Sequence, residues 1–176
     1  MRAMNRRQYL GALSALGFMP MSNNKSKSSD KPQPLPEMNL VEREKTWVKS
    51  QLRDHYGAVF WNDDIYYLRS DDTTRVPKNK TPVRMRADSI VDRPRPDYSA
   101  NEYDCEDYVI HLYSALTRMY PRISVGVVWN LSGGHAYNIF VTENGIMEYD
   151  PQLEIRSVVT GSDNELYDFD RGVLLL

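Results

Sequence analysis

A single cysteine, Cys105, in 176 residues excludes an intramolecular disulfide framework and any zinc site built on several thiols. It leaves the redox compartment open. Long hydrophobic runs are missing too. The stretch from Tyr9 to Met21 is apolar apart from small residues and one proline, but spans only 13 residues. About 18 or more are needed to cross a bilayer as a helix. No internal repeat is present. Basic charge is outnumbered outside the first segment. Residues 1–34 hold six Lys/Arg against one acid, so the remaining chain keeps 16 of the 22 basic residues against 23 of the 24 acids, a net −7. An acidic body lacks the basic face that a nucleic-acid-binding domain needs, so no nucleic-acid partner is expected.

What is present begins with a segmented N-terminus. Arg6-Arg7 precede the apolar run, an order that resembles a twin-arginine export signal, so residues 1–22 are expected to be a signal segment and the protein to be exported. The alternative is a basic tail. Residues 23–36 are Ser, Lys, Asn and Pro with little to bury, the composition of a disordered linker. Residues 37–176 are expected to form one domain.

Within it, 37–56 has a loose apolar stripe (Leu40, Val41, Trp47, Val48, Leu52, Tyr56) that predicts one amphipathic helix stopped at Gly57, with His55 as a dipole partner at its end. Ala58–Trp61 and Ile65–Leu68 read as short strands about a turn, 70–82 as a polar loop, and Val83–Arg86 as a brief strand. Pro94 and Pro96 make 91–101 extended. Twelve tyrosines are many for this length, and sheet packing and amphipathic surface account for them.

The chemistry concentrates between Asn101 and Gln152. Cys105, Val109, Leu112, Leu116 and Met119 repeat at helical spacing, placing Cys105 in the first turn of a helix that ends before Pro121. Unpaired N–H groups and the dipole at that position favour a thiolate. Asp104 suits the N-cap, and Glu106 and Asp107 suit the first turn, yet all three acids oppose ionisation of the thiol between them. Ile123–Asn130 reads as a buried strand. After Gly133-Gly134 a second strand opens on His135, with His135, Tyr137, Ile139 and Val141 on one face and Ala136, Asn138 and Phe140 on the other. A hairpin at Asn144-Gly145 returns the chain through Ile146 to Asp150. Pairing Glu143 with Ile146 would set His135 opposite Glu154. Residues 154–159 and 173–176 read as closing strands, with Leu174-Leu175-Leu176 buried. Thiol, imidazole and carboxylate on successive elements supply a nucleophile, a base and an orienting group, so Cys105, His135 and Asp150 are the candidate catalytic residues. Trp129, Asn138 and Tyr103 are candidates to line the cleft. The Cys105 N–H is the natural first oxyanion donor, with Tyr98, Asn101 and Tyr103 open as the second.

Tyr-Asp-Cys-Glu-Asp-Tyr (103–108), Gly-His-Ala-Tyr-Asn (134–138) and Asp-Pro-Gln (150–152) together resemble the papain-like and transglutaminase-like cysteine enzymes, in particular the papain-like domain attached to a fungal agglutinin and its short phage and bacterial relatives. The likeness covers about a third of the chain, and Asp150 departs from the Glu common there. It implies an α+β papain-like fold, with a thiol-bearing helix on an antiparallel sheet. It implies a cysteine hydrolase (peptidase or amidase) or acyl transferase acting on peptide or protein amides through a thioester. No cofactor is required by that chemistry, but the likeness implies a calcium ion near the site, with Asp104, Glu106 and Asp107 as its ligands; helix capping is the alternative role of these acids. The other reading of the whole domain is an inactive fold used as a binding module or structural accessory, with Cys105 and His135 as core residues.

Overall fold

The computed structural model describes residues 34–57, 71–94, 96–97, 99, 102–152, 167 and 172–175. Its elements, all within the compact unit Leu35–Leu176, are β1 (Leu40–Glu44), α1 (Lys45–Tyr56), β2 (Thr73–Pro77), α2 (Lys80–Val91), α3 (Cys105–Met119), β3 (Val125–Asn130), β4 (His135–Thr142), β5 (Gly145–Tyr149) and β6 (Gly172–Leu175). The class is α+β: two antiparallel sheets and, among the described residues, three helices. The first sheet is the pair β1–β2. The second has the order β5-β4-β3-β6.

Strand β4 sits inside the second sheet and both its faces are covered. Phe140 joins Leu112 and Leu116 of α3 and Val83, Ala87 and Ile90 of α2 in one apolar cluster. Tyr137, Ile139 and Val141 join Val48 and Leu52 of α1, with Leu174 of β6, in another. The period-two alternation of β4 therefore feeds two cores. Asn138, fully buried, donates from Nδ2 to the carbonyls of Val109 and Gly126, both at 3.1 Å, and ties α3 to the sheet. Arg43 of β1 grips Glu143 at the β4–β5 turn through Nε (2.7 Å) and Nη2 (2.5 Å), a bidentate pair that links the two sheets.

Several expectations are corrected. The helix expected over 37–56 begins only at Lys45, because Leu40–Glu44 pair in antiparallel register with Thr73–Pro77. That pairing also turns part of the expected 70–82 loop into β2. Its stop stands as expected: Gly57, at φ +62°, gives its N–H to the Arg53 carbonyl. Val83–Arg86 is helical, inside α2, because Val83, Ala87 and Ile90 recur at helical spacing and are buried together. The hairpin pairs Thr142 with Gly145 and Val141 with Ile146, so its loop is Glu143-Asn144 and the register differs by two residues from that expected. Gly145 takes the positive φ (+89°). The Thr142 hydroxyl holds the turn, donating to the Gly145 carbonyl (2.7 Å) and accepting from the Asn144 N–H (3.2 Å). The helix at Cys105 and the strand at His135 form as expected. In β6, Leu174 is buried as expected. The segments 1–22 and 23–33 and the strands expected at 58–61, 65–68 and 154–159 lie outside the described residues.

Leu112, fully buried between α2, α3 and the sheet, is a sensitive probe of this packing. Leu112→Ala is expected to destabilise the domain by about 2–5 kcal/mol, measured by urea unfolding.

Candidate functional site

Asp104 caps α3: its carboxylate accepts the Glu106 N–H at 3.2 Å, and the Asp107 carboxylate accepts the Asp104 N–H at 3.1 Å, a complete capping box. Cys105 follows in the first turn, 8% exposed, packed with Val109, Val127 and Ala136 and flanked by Trp129 and Tyr113. Its Sγ donates to Glu106 Oε2 at 3.3 Å. Burial, then the charge of Glu106 and this hydrogen bond, push the thiol up to about 12, while a hydrogen bond from the Ala136 backbone acts the other way. Burial and the acids at the helix start thus act together against the thiolate. Crowding by Glu106 also raises the Asp104 carboxyl, through the hydrogen bond between them, partial burial and like charge.

His135 and Asp150 do meet. His135 Nε2 lies 2.6 Å from Asp150 Oδ2, with the two side chains 11% and 1% exposed. The observed register explains the encounter. Asn138 pairs with Tyr149, so the residue after Tyr149 comes level with Tyr137, two residues from His135 on the same face. The turn at Pro151-Gln152 then closes on Asp150, whose Oδ1 accepts the Gln152 N–H at 2.8 Å. A third donor is Tyr167, whose hydroxyl reaches Asp150 Oδ2 at 2.7 Å and whose ring stands edge-on to His135 at 5.7 Å. The catalytic candidates are therefore brought together in part. The imidazole and carboxylate form a pair, and the thiol's side-chain hydrogen bond goes to Glu106.

The other candidates are placed as follows. Asn138 spends its amide on α3 and β3. Trp129 is half-buried against the Cys105 cluster. Tyr103 stacks edge-on to Tyr108 at 4.7 Å, and its N–H is taken by the Ser99 carbonyl. Of the acids proposed for calcium, Asp104 and Glu106 lie with the thiol in a group whose ligand atoms fall within 4.8 Å of one another, whereas Asp107 serves the cap.

Two features escaped the sequence reading. Tyr167 stands in a polar acidic stretch with no period to mark it. His55, read as a dipole partner, instead reaches the buried Glu148 of β5 at 3.0 Å through Nε2, and the Tyr56 hydroxyl meets the same oxygen at 3.3 Å.

No family model matches the chain, and no curated protein matches it. Among solved structures, it is similar to a complex of PSL1a with E64, at TM-score 0.54 and 19% identity over 77% of this chain and 51% of that one. It is also similar to the Polyporus squamosus lectin bound to a human-type influenza-binding glycan epitope, at TM-score 0.48 and 15% identity over 77% and 49%. The chain spans about half the length of each. The likeness shows the fold alone. The expectation of a papain-like or transglutaminase-like cysteine enzyme is corrected accordingly. Neither a family model nor a curated protein supports it, and the structural likeness to PSL1a, at 19% identity, reaches no further than the fold. Hydrolase and thiol-protease activity, and with them the export signal, have no support in these comparisons. Three short motifs can arise from capping and turn chemistry without common descent, because Asp before a helix and Gly before a strand are general solutions.

Asp150 holds three donors in a buried position, so its side chain is structural whatever else it does. Asp150→Ala leaves His135 Nε2, the Tyr167 hydroxyl and the Gln152 N–H without their acceptor. A stability loss of about 1–3 kcal/mol is expected, read from the denaturation midpoint of the variant against wild type.

Proposed function

We propose that this domain is a non-catalytic binding module, in which Cys105 is a packing residue and His135–Asp150 a polar brace. The observation that carries this reading is the setting of the thiol, which is buried among apolar side chains and donates to Glu106, both of which push its ionisation up. A thiol in that state is protonated at neutral pH, and a protonated thiol is a poor nucleophile. Packing against Val109, Val127 and Ala136 is the ordinary role of a buried cysteine and supports the same view. No helix among the described residues is long and apolar enough to cross a membrane.

The test is alkylation of Cys105 by iodoacetamide across pH 5–9. Slow labelling that climbs only towards alkaline pH, alike in wild type and His135→Ala, is expected. The sign follows from the raised thiol, which gains thiolate only as pH approaches about 12. Fast labelling near pH 6 that disappears in His135→Ala would make the thiol a nucleophile and end the binding-module reading.

A second element of the reading is a divalent cation, calcium, held by Asp104 and Glu106. The supporting observation is their mutual crowding, which raises the Asp104 carboxyl chiefly through Glu106 and which a cation would relieve. The donor set fits a hard cation in charge and in oxygen chemistry; the protonated thiol contributes no ligand to it. Calcium would supply positive charge at the helix start, where Glu106 now accepts from Cys105. At a hundredfold excess over Kd, calcium is expected to add about 2.7 kcal/mol of stability, seen as a raised Tm in wild type and not in Glu106→Gln. A Tm indifferent to calcium and to chelator leaves Asp104 a cap and Glu106 the thiol's acceptor. The alkylation series run with calcium present then tells whether a cation frees the thiol.

A further inference from the structure

We propose that Tyr167 is the positioning residue of the His135–Asp150 pair, setting how strongly the carboxylate pulls on the imidazole proton. The inference is independent of whether Cys105 reacts.

Four observations carry it. Tyr167 and His135 bond the same oxygen, Asp150 Oδ2, at 2.7 and 2.6 Å. Two donors on one oxygen divide its negative charge, so each bond is weaker than it would be alone. Asp150 Oδ1 is occupied by the Gln152 N–H at 2.8 Å, and the carboxylate is 1% exposed, so solvent has little access to redistribute the charge. Finally, the Tyr167 ring is itself fixed. It stands edge-on to His135 (5.7 Å, 89°) and to Tyr137 (5.5 Å, 62°), and so holds the imidazole plane as well as the carboxylate. Burial and the charge of Asp150 keep the phenol proton on Tyr167, its ionisation pushed far up, so it acts as a donor throughout the physiological range.

One consequence is the tautomer. An anionic oxygen at 2.6 Å from Nε2 requires the ring proton there, an assignment made from the hydrogen-bond geometry. In the neutral ring Nδ1 then keeps its lone pair. A ligand that uses this site must bring a hydrogen-bond donor, a hydroxyl or an amide N–H, to that nitrogen.

The test is proton NMR of the His135 Nε2 proton, which a bond of 2.6 Å places far downfield, assigned by its absence from His135→Gln. In Tyr167→Phe the ring contacts remain and the second donor is lost, so the imidazole bond shortens and the resonance moves further downfield. Replacement of Tyr167 by 3-fluorotyrosine keeps ring and hydroxyl but makes a stronger donor, and moves the resonance upfield. Opposite displacements in the two proteins are the expected result, and a merely structural tyrosine would not produce them. An unmoved resonance in either folded protein, a displacement of the wrong sign, or no downfield proton in wild type overturns the proposal. Should Tyr167→Phe fail to fold, the fluorotyrosine protein alone decides.

Discussion

The two-sided burial of β4 governs the site. A strand covered on both faces sends successive side chains into different cores, and Ala136 and Tyr137 fall in different clusters. Ala136 belongs to the face that α3 covers, and the thiol of Cys105 packs on it. Tyr137 belongs to the α1 face, and His135, two residues before it, meets Tyr167 and Asp150 there. The partner the thiol finds is Glu106, its own neighbour in the first turn of α3.

The same strand order accounts for the buried acids. Glu148 and Asp150 are two residues apart at the end of β5, 4% and 1% exposed, and carboxyl groups that deep need hydrogen-bond partners. Each receives an imidazole and a phenol: His55 and Tyr56 for Glu148, His135 and Tyr167 for Asp150. The first pair closes the end of α1 onto the sheet, and the second ties residue 167 to the β4–β5 edge. Composition alone assigns the tyrosines to packing, yet among the described residues Tyr56 and Tyr167 each also bond one of these buried acids. Their own ionisation is suppressed by the same burial, in Tyr56 and Tyr167 alike. They therefore serve as fixed donors rather than titrating groups.

Much of this was legible at the level of local pattern. Helical spacing placed Cys105 in a first turn, alternation assigned the faces of β4, and Asp104 read correctly as a cap, because each depends on residues within a few positions of one another. What failed depends on distant pairing. Leu40–Glu44 look helical alone and become a strand only against Thr73–Pro77. Glu148 looks like a polar position on a hairpin until His55, 93 residues away, arrives beside it. The hairpin loop falls one residue earlier than expected and shifts the register by two, because an Asn-Gly pair marks a turn without saying whether glycine is inside the loop or opens the next strand. For the site, the sequence named the imidazole and carboxylate that meet, and missed the phenol that joins them.

The first turn of α3 finally separates two effects that usually act together. A helix N-terminus favours an anion by its free N–H groups and its dipole, worth about 0.3–1 kcal/mol at exposed positions. Here the cap is already occupied by carboxylates: Asp104 accepts the Glu106 N–H, and the Asp107 side chain accepts the Asp104 N–H. A carboxylate that occupies the cap uses up the field that would otherwise stabilise a thiolate one residue along, and its own charge adds repulsion. Burial of the sulfur among Val109, Val127 and Ala136 then works in the same direction as the acids. Only the Ala136 backbone opposes them. The chemistry of Cys105 is therefore set less by its place at a helix start than by the burial of its sulfur and the Glu106 carboxylate beside it.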